Sequence, residues 1–526
     1  MKDKFIITSF ASADFREKFE EVAKPYNGNS RPLENILDML KRPPLSCKTA
    51  VFEHDYVDKD YLDEFSAFYC KAFKVYPPRC VRILFFGEDL TGKEPLQLHA
   101  YSESFLGYVV LRPTDLQRVG RTLLRPPIQD KNNEFIHCLA EFETHVYGDC
   151  FEVSAMPFVQ QDTQVGACAQ ASLWMLARYM SRRFGYRQYL PSEINVLAKS
   201  NLAMGRHFPA SSGLTPYQVL DALQGMDFPA VIYDRSNIDA CSLHINAAYP
   251  IKADGHNAHD RYLKELDNQR TAKLADITYR YIESALPVII GTSDHALVVI
   301  GHTYKHTVDD AKAAIQRIPD FFVNNDNTGP YIRIPIFPTS ASSKKLTFGN
   351  VQSIMAVLPR EVTLRGEEAE SMAISFIQEM LSSIPSEDSR GSIRDILCVY
   401  RPEFKPWLAQ MESRTFLRKS VDYQKELKQE INRGSLVPAV GKKLRMLDYP
   451  KYVWITEISS PALLNYEDKS KRKCLGRVVV DSTAPAKTKG VLSAHFADLL
   501  HIENRDTGKL SLDIFEKSTP FHHILL

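Results

Sequence analysis

Three residues, Cys168, His295 and Asp326, follow one another in an order and in local settings that suit thiol chemistry. Cys168 follows a polar turn containing Gly166 and begins an apolar stretch typical of a buried helix. The pattern therefore predicts a cysteine at a helix N-terminus, where unpaired N–H groups and the helix dipole favour the nucleophilic thiolate. A lone cysteine of this kind is more often a core residue, so the assignment depends on the residues that accompany it.

A histidine that could act as the base begins an apolar strand further along the chain. His295 lies in a polar turn between the apolar runs 286–290 and 296–300. A histidine in this position can face a cleft while the strand behind it is fixed in the core. An isolated histidine at a strand edge is usually structural, so the assignment of His295 as a base depends on the presence of Cys168.

A third strand-like run ends in Asn324, Asn325 and Asp326 before a Gly-Pro turn. A carboxylate or an amide at such a strand end can accept the second imidazole N–H and so fix the tautomer and orientation of the ring. We favour Asp326 for this role. Asn324 and Asn325 remain alternatives, since Asn and Asp are also ordinary turn residues.

Taken in order, these segments resemble the papain-like cysteine peptidases, particularly the double-glycine leader-processing peptidases and their relatives. The resemblance covers about residues 155–358, and its motifs are Gln161-x6-Cys168-Ala-x-Ala-Ser, Asp-His295-Ala-Leu-Val-Val-Ile-Gly and Val-Asn-Asn-Asp326-x3-Pro. It implies an α+β domain in which a helix carrying the cysteine packs on an antiparallel sheet carrying the histidine and the aspartate.

The resemblance also implies a role for each residue. Cys168 would be the nucleophile, His295 its base, Asp326 the residue that orients the base, and Gln161 the oxyanion donor together with the Cys168 backbone N–H. The family's glutamine usually lies about six residues before the cysteine, and Asp162 occupies that position here. Gln164, two residues later, is therefore the alternative oxyanion donor. The interval from His295 to Asp326 is longer than the family's, and we expect its polar segment, 303–320, to be a helical insertion.

The implied function is that of a cysteine-dependent hydrolase, a thiol protease or isopeptidase that forms a thioester on Cys168 and acts on a protein or peptide. An acyl transferase or a deamidase could use the same Cys-His site. The alternative from another class is a noncatalytic interaction or regulatory protein on a decayed papain-like fold, which Ala169 and the displaced glutamine favour. A regulatory protein partner is compatible with either reading.

The elements around these residues fall into three blocks: a mixed α/β block over 1–150, the papain-like domain over 151–359, and a helical block with a small sheet over 360–526. A capping box at Thr215, Pro216 and Gln218 predicts a helix inside the central block. Periodicity predicts the main flanking elements. These are helices over 59–73, 367–381 and 419–431, and strands over 81–86, 106–111, 151–159, 452–458 and 476–481.

Composition narrows the remaining possibilities. The 526 residues contain 65 Lys and Arg against 64 Asp and Glu, so the overall charge gives no reason to expect binding to nucleic acid or to an anionic membrane. No run approaches the roughly 18–20 apolar residues of a membrane span, and the N-terminus is a poor signal peptide. Nine cysteines without a CxxC pair favour a reducing cytoplasm.

We expect no cofactor and no metal. His244, His256 and His259 lie close together in a polar loop, and DGHNAHD contains an H-x-x-H spacing. No clear helix or strand would hold two of these histidines as ligands, so a solvated loop is the better interpretation. The chain also lacks a glycine-rich loop that could cradle a phosphate.

Overall fold

The computed structural model describes residues 4–23, 30–115, 118–162, 168–199, 213–238, 258–309, 311, 313–337, 346–383, 392–400, 402, 404–485, 490–496, 499–503, 510–514 and 522–523. These residues form an α+β structure with antiparallel sheets, as expected from the sequence. Gln164, His244 and His256 lie outside the described residues, as does the side chain of His259.

The N-terminal part forms a five-stranded antiparallel sheet in sequential order, a three-residue strand and a separate hairpin. The elements are β1 (Phe5–Ser9), α1 (Ala13–Ala23), α2 (Arg31–Lys41), β2 (Thr49–Tyr56), α3 (Lys59–Ala67), β3 (Cys80–Phe86), β4 (Phe105–Leu111), β5 (Val119–Leu124), β6 (Glu134–Ile136), β7 (Ala140–Val146) and β8 (Asp149–Ala155).

Two of the predicted N-terminal elements are shorter than expected. Helix α3 starts at the N-cap Asp58, whose carboxylate accepts from the Asp60 and Tyr61 backbone N–H groups, but it ends at Ala67 because Phe68 leaves the helical region. The strand expected over 151–159 ends at Ala155. Pro157 cannot donate to a ladder, and the chain beyond it pairs instead with β5.

The central part forms a sheet ordered β13-β12-β11-β10-β14-β9, flanked by helices. Its elements are α4 (Cys168–Phe184), α5 (Pro191–Leu197), α6 (Pro216–Gly225), β9 (Ala230–Asp234), α7 (Ala258–Glu283), β10 (Val288–Gly291), β11 (Ala296–Thr303), β12 (Asp320–Asn325), β13 (Gly329–Pro335) and β14 (Ser353–Val357). The capping box predicted for α6 is present, with Thr215 and Gln218 bonding reciprocally.

Strand β6 joins the central sheet although it belongs to the first 150 residues. It pairs with the far end of β11, where Ile136 lies opposite Gly301. A Cβ atom on Gly301 would lie 2.2 Å from the Phe135 carbonyl oxygen, so this pairing requires a glycine. The sheets therefore do not separate at residue 150.

The helical insertion predicted between β11 and β12 is largely absent from the described residues there. Only the 3₁₀ helix Ala314–Arg317 forms. Buried Arg317 donates to the carbonyl oxygens of His306 and Val308, at 2.8 and 3.0 Å, and pairs with Glu412 at 2.6 Å. These tertiary contacts use carbonyl groups that a helix would need for its own hydrogen bonds.

The C-terminal part contains the predicted helices and strands, but its sheet has six strands rather than being small. Its elements are α8 (Gly366–Ser382), α9 (Ile393–Tyr400), α10 (Phe404–Ala409), β15 (Glu412–Lys419), α11 (Ser420–Asn432), α12 (Pro438–Arg445), β16 (Tyr452–Ser459), α13 (Pro461–Leu464), β17 (Lys473–Cys474), β18 (Gly476–Asp481), β19 (Val491–Phe496), β20 (Leu499–Glu503), β21 (Leu510–Ile514) and β22 (His522–His523). The edge strand β15 was not predicted because its sequence, ESRTFLRK, is highly charged. In the structure, ion pairs of Arg414 with Glu283 and Glu457 allow this charge in the strand.

Two further observations concern the whole described part of the chain. None of its helices combines the length and the hydrophobicity that crossing a membrane would require. The eight cysteines within it are free thiols.

Candidate active site

Helix α4 places Cys168 at its first residue, as the sequence predicts. The residues that follow, from Ala169 to Met180, are buried because the helix packs against β11 and against the neighbouring helices α5 and α6. Cys168 itself is only half-buried. The thiol therefore lies at a helix N-terminus, where the local field favours an anion.

A tight turn between β10 and β11 holds His295. The Thr292 N–H donates to the His295 carbonyl at 2.8 Å, and the Thr292 hydroxyl accepts from the His295 N–H at 3.1 Å. Gly291 and Ala296 then close the hairpin as a strand pair. Because β11 also packs on α4, the turn places the imidazole close enough to Cys168 for the thiol to raise the pKa of the ring.

The other side of the imidazole faces the end of β12. His295 Nε2 lies 3.0 Å from Asn325 Oδ1 and 3.2 Å from Asp326 Oδ1. Since these two oxygens, which are nearer to Nε2 than the Asn327 amide nitrogen at 3.4 Å, can only accept, Nε2 is the nitrogen that carries the hydrogen atom toward them. Nδ1, which lies 3.5 Å from the Asn327 amide nitrogen, is then the nitrogen that can accept a proton.

Asn324, the third alternative, lies apart from the imidazole. Its amide nitrogen donates to the Pro157 carbonyl at 3.0 Å, and its oxygen accepts from the Tyr331 N–H at 3.1 Å. Successive side chains of a strand point to opposite faces, so Asn324 points into the core while Asn325 faces the site. Both Asn325 and Asp326 thus contact the histidine, whereas the sequence favoured one of them.

The electrostatics of the site favour a charged imidazole. Burial by itself lowers the pKa of His295, but the hydrogen bond with Cys168 and the charge of Asp326 outweigh burial and raise that pKa to about 9. Burial raises the pKa of Asp326 to about 6, although the nearby imidazolium opposes this rise. At neutral pH the buried carboxylate therefore faces a positively charged ring, and that ring is available to stabilise a thiolate.

Gln161 reaches the edge of this site through Asn327. Its side-chain N–H donates to Asn327 Oδ1 at 3.2 Å, and Asn327 Nδ2 lies 3.4 Å from His295 Nε2. The Gln161 amide is thus near the imidazole but engaged with another side chain. The sequence reasoning missed Asn327, which lies in a turn rich in Asn and Asp and carries no distinguishing pattern.

The N-terminal sheet holds the segment around Gln161. The Gln160 N–H donates to the Val119 carbonyl at 2.9 Å, and the Gln160 carbonyl accepts from Arg112 at 2.9 Å. Next to it, the buried Asp162 carboxylate accepts from the Tyr69 hydroxyl. These contacts hold the residues immediately before and after Gln161.

The same N-terminal part also supports the turn after β12. Helix α2 packs against β13, and Asn35 Nδ2 donates to the Thr328 carbonyl at 2.6 Å. Asn35 and Thr328 are 293 positions apart in the chain. No local pattern could have identified Asn35, because its importance comes only from tertiary contact.

Comparison with protein-family models, curated proteins and solved structures returned no match.

Proposed function

We propose that the chain is a cysteine-dependent hydrolase, with Cys168 as its nucleophile, on a papain-like arrangement of helix and sheet. The observation that carries the proposal is the position of His295, which lies near the Cys168 thiol and contacts both Asn325 and Asp326. A nucleophile, a base and a group that orients the base are the minimum parts of such a site. The thiol is half-buried and 13% of the His295 side chain is exposed, which leaves an approach for a substrate.

The geometry supports a two-step acyl transfer. His295 holds the Cys168 proton as an imidazolium, and the thiolate attacks a substrate carbonyl carbon to form a C–S bond. The imidazolium then gives its proton to the leaving amine as the C–N bond breaks, which leaves a thioester. Water, deprotonated by His295, attacks the thioester, and the acid product and the free thiol are released.

Oxyanion stabilisation would come from the Cys168 backbone N–H and the Gln161 amide. Each donor of this kind typically contributes about 3 kcal/mol. For Gln161 to contribute, its side chain must exchange Asn327 for the developing oxyanion. That exchange needs only rotation of a partly exposed side chain, since the neighbouring backbone is held by the N-terminal sheet.

We propose a protein or peptide as the substrate, so that the enzyme is a peptidase or an isopeptidase. Attack of an amine instead of water on the thioester would make the same site an acyl transferase. Hydrolysis in ¹⁸O-enriched water separates these outcomes on a panel of short peptide esters. Incorporation of one ¹⁸O atom into the acid product supports hydrolysis, and capture of the acyl group by an added amine supports transfer.

The first test is selective modification by iodoacetamide across roughly pH 5–9, a range that includes the ordinary thiol pKa. The internal comparison is Cys70, a free and exposed thiol. We expect Cys168 to react faster than Cys70 below neutral pH although it is less exposed. His295→Ala should slow the reaction of Cys168 alone, whereas His99→Ala, which removes an exposed histidine, should not.

Modification of Cys168 no faster than that of Cys70 would contradict the proposal. It would favour the alternative of a noncatalytic interaction protein on a decayed fold. The engagement of Gln161 by Asn327 is the structural observation that favours that alternative. Asn327→Ala distinguishes the two, because releasing Gln161 should raise turnover of a peptide ester only in an active enzyme.

A further inference from the structure

A second group of chemically active side chains lies at the opposite end of β11 from the Cys168 site. It consists of His137, just after β6, Glu283, the last residue of α7, and His302 in β11. His302 lies seven residues beyond His295, which corresponds to roughly 23 Å along a strand. Neither the catalytic proposal nor the sequence patterns use these three residues.

Both imidazoles direct Nε2 at one carboxylate oxygen. Glu283 Oε1 lies 2.6 Å from His302 Nε2 and 3.5 Å from His137 Nε2. The side chains of Glu283 and His302 are almost fully buried, and that of His137 is 15% exposed. His137 Nε2 has no hydrogen-bond partner among the described residues.

The contact of the other His302 ring nitrogen, Nδ1, indicates which nitrogen of the ring carries a hydrogen atom. Its Nδ1 lies 3.0 Å from the Thr303 carbonyl oxygen, which can only accept a hydrogen bond, so Nδ1 carries a hydrogen atom. In the neutral ring, Nε2 then presents a lone pair to a carboxylate oxygen. Arg414 neutralises the other carboxylate oxygen, but two lone pairs 2.6 Å apart and away from water still require a cation between them, either a proton or a metal ion.

We propose that His137, Glu283 and His302 bind a divalent first-row transition metal ion of the Zn²⁺ class. Two imidazole nitrogens and a carboxylate oxygen are a donor set typical of such ions. The three donor atoms lie within 4.8 Å of one another. Small side-chain adjustments bring them to the roughly 2.0–2.2 Å from a shared ion that zinc requires.

The surroundings of the cluster supply the supporting contacts that metal ligands usually have. The Thr303 carbonyl fixes the tautomer of His302, as backbone carbonyls commonly do for ligating histidines. Arg414 donates to Glu283 Oε2 at 2.9 Å, which holds the carboxylate and leaves Oε1 directed at the imidazoles. A cavity lined by Tyr279, Glu283 and His302 among others adjoins the cluster and provides room for a water molecule as fourth ligand.

A metal here would hold the structure together rather than take part in the chemistry at Cys168. Its ligands come from the segment after β6, from the end of α7 and from β11, so the ion would join the first 150 residues to the central sheet. Arg414 extends the connection to β15 of the C-terminal sheet. Metal removal should therefore lower the free energy of unfolding while leaving the contacts of Cys168 with His295 in place.

The direct test is the metal content of the full chain, measured by inductively coupled plasma mass spectrometry after incubation with Zn²⁺ and removal of excess ion. We expect one equivalent per chain. In His137→Ala the affinity should fall by more than the roughly 10–100-fold that loss of a ligand's supporting partner costs. His99→Ala is the matched control and should retain the full equivalent.

Because Glu283→Gln also disturbs Arg414 and could impair folding, Co²⁺ substitution of the wild-type chain provides a second measurement. Visible d–d absorption that disappears in the folded His137→Ala variant would support the site. Equal metal content in wild type and His137→Ala, or no bound metal in a folded wild type, would overturn the proposal. The cation between His302 and Glu283 would then be a proton. Iodoacetamide labelling of Cys168 reports separately on the proposed hydrolase.

Discussion

The Nε2 atom of His295 lies 3.0 Å from Oδ1 of Asn325, the residue immediately before the aspartate that the sequence favours. Asp326 Oδ1 lies only slightly further away, at 3.2 Å, and its side chain is completely buried. One imidazole N–H thus faces two acceptors of different character. The amide provides an aligned neutral hydrogen bond, and the carboxylate provides charge.

We predict that Asp326→Asn lowers the pKa of His295 from about 9 by more than Asn325→Ala does. The physical reason is that the charge of Asp326 favours the imidazolium more strongly than the Asn325 hydrogen bond does. Titration of the His295 ring protons by NMR, assigned with His295→Gln, measures both shifts. Equal shifts in the two variants would contradict this division of roles.

The stabilisation that His295 provides should depend on pH in a defined direction. Its folded pKa of about 9 lies above its ordinary value, so the charged ring stabilises the fold fully below about pH 6.5 and loses this effect as pH rises through about 9. The difference in unfolding free energy between wild type and His295→Ala, on the order of 2 kcal/mol, should therefore shrink between about pH 6 and pH 10. Urea unfolding at several pH values measures it, and a difference that grows with pH would refute the prediction.

Asn35→Ala should weaken the site without touching it directly. The variant removes the hydrogen bond from helix α2 to the Thr328 carbonyl, at a cost of about 1 kcal/mol, and loosens the turn that carries Asn325 and Asp326. We expect slower iodoacetamide modification of Cys168. Glu34→Gln, an exposed change on the same helix, is the control, and equal rates in the two variants would show that the turn does not need α2.

Tyr69→Phe should destabilise the chain by about 1–3 kcal/mol, because it removes a hydroxyl that donates to the buried Asp162 carboxylate. Tyr217→Phe removes the same atom from an exposed side chain and should cost almost nothing. Thermal and urea unfolding compare the two variants. A Tyr69→Phe chain as stable as Tyr217→Phe would mean that Asp162 is satisfied without Tyr69.

Gly301→Ala should disrupt the pairing of β6 with β11. The added methyl group would lie 2.2 Å from the Phe135 carbonyl oxygen, and relieving that overlap should cost about 1–3 kcal/mol or more. Gly87→Ala is the control, since its nearest neighbour would be 3.7 Å away. Hydrogen exchange at residues 134–136 should accelerate in the first variant only, and unchanged protection there would argue against a required glycine.

Local patterns were sufficient to predict where α4 and α6 start and to predict both ends of β3 and β4 to within one residue, because periodicity and capping depend on neighbouring residues. They also predicted Cys168 at a helix start. They could not separate Asn324 from Asn325, since that choice depends on the irregular pairing of β12 with β13. The missing helix over 303–320 has a similar cause, namely a buried arginine whose partner lies 95 positions away.

The contribution of β6 to the central sheet affects how the chain must fold as it is synthesised. Strand β6 and the Cys168 helix leave the ribosome well before β11 and the turn at Asn325, and both need those later residues as partners. The edge of β6 therefore remains unpaired for a time, and Cys168 exists for a time without His295. In a fragment starting at residue 151, β11 would lack β6 as its partner. The backbone at Gly301, which Ile136 covers in the full chain, would then be exposed. Expression of the central third alone should accordingly yield an aggregation-prone product rather than a minimal enzyme.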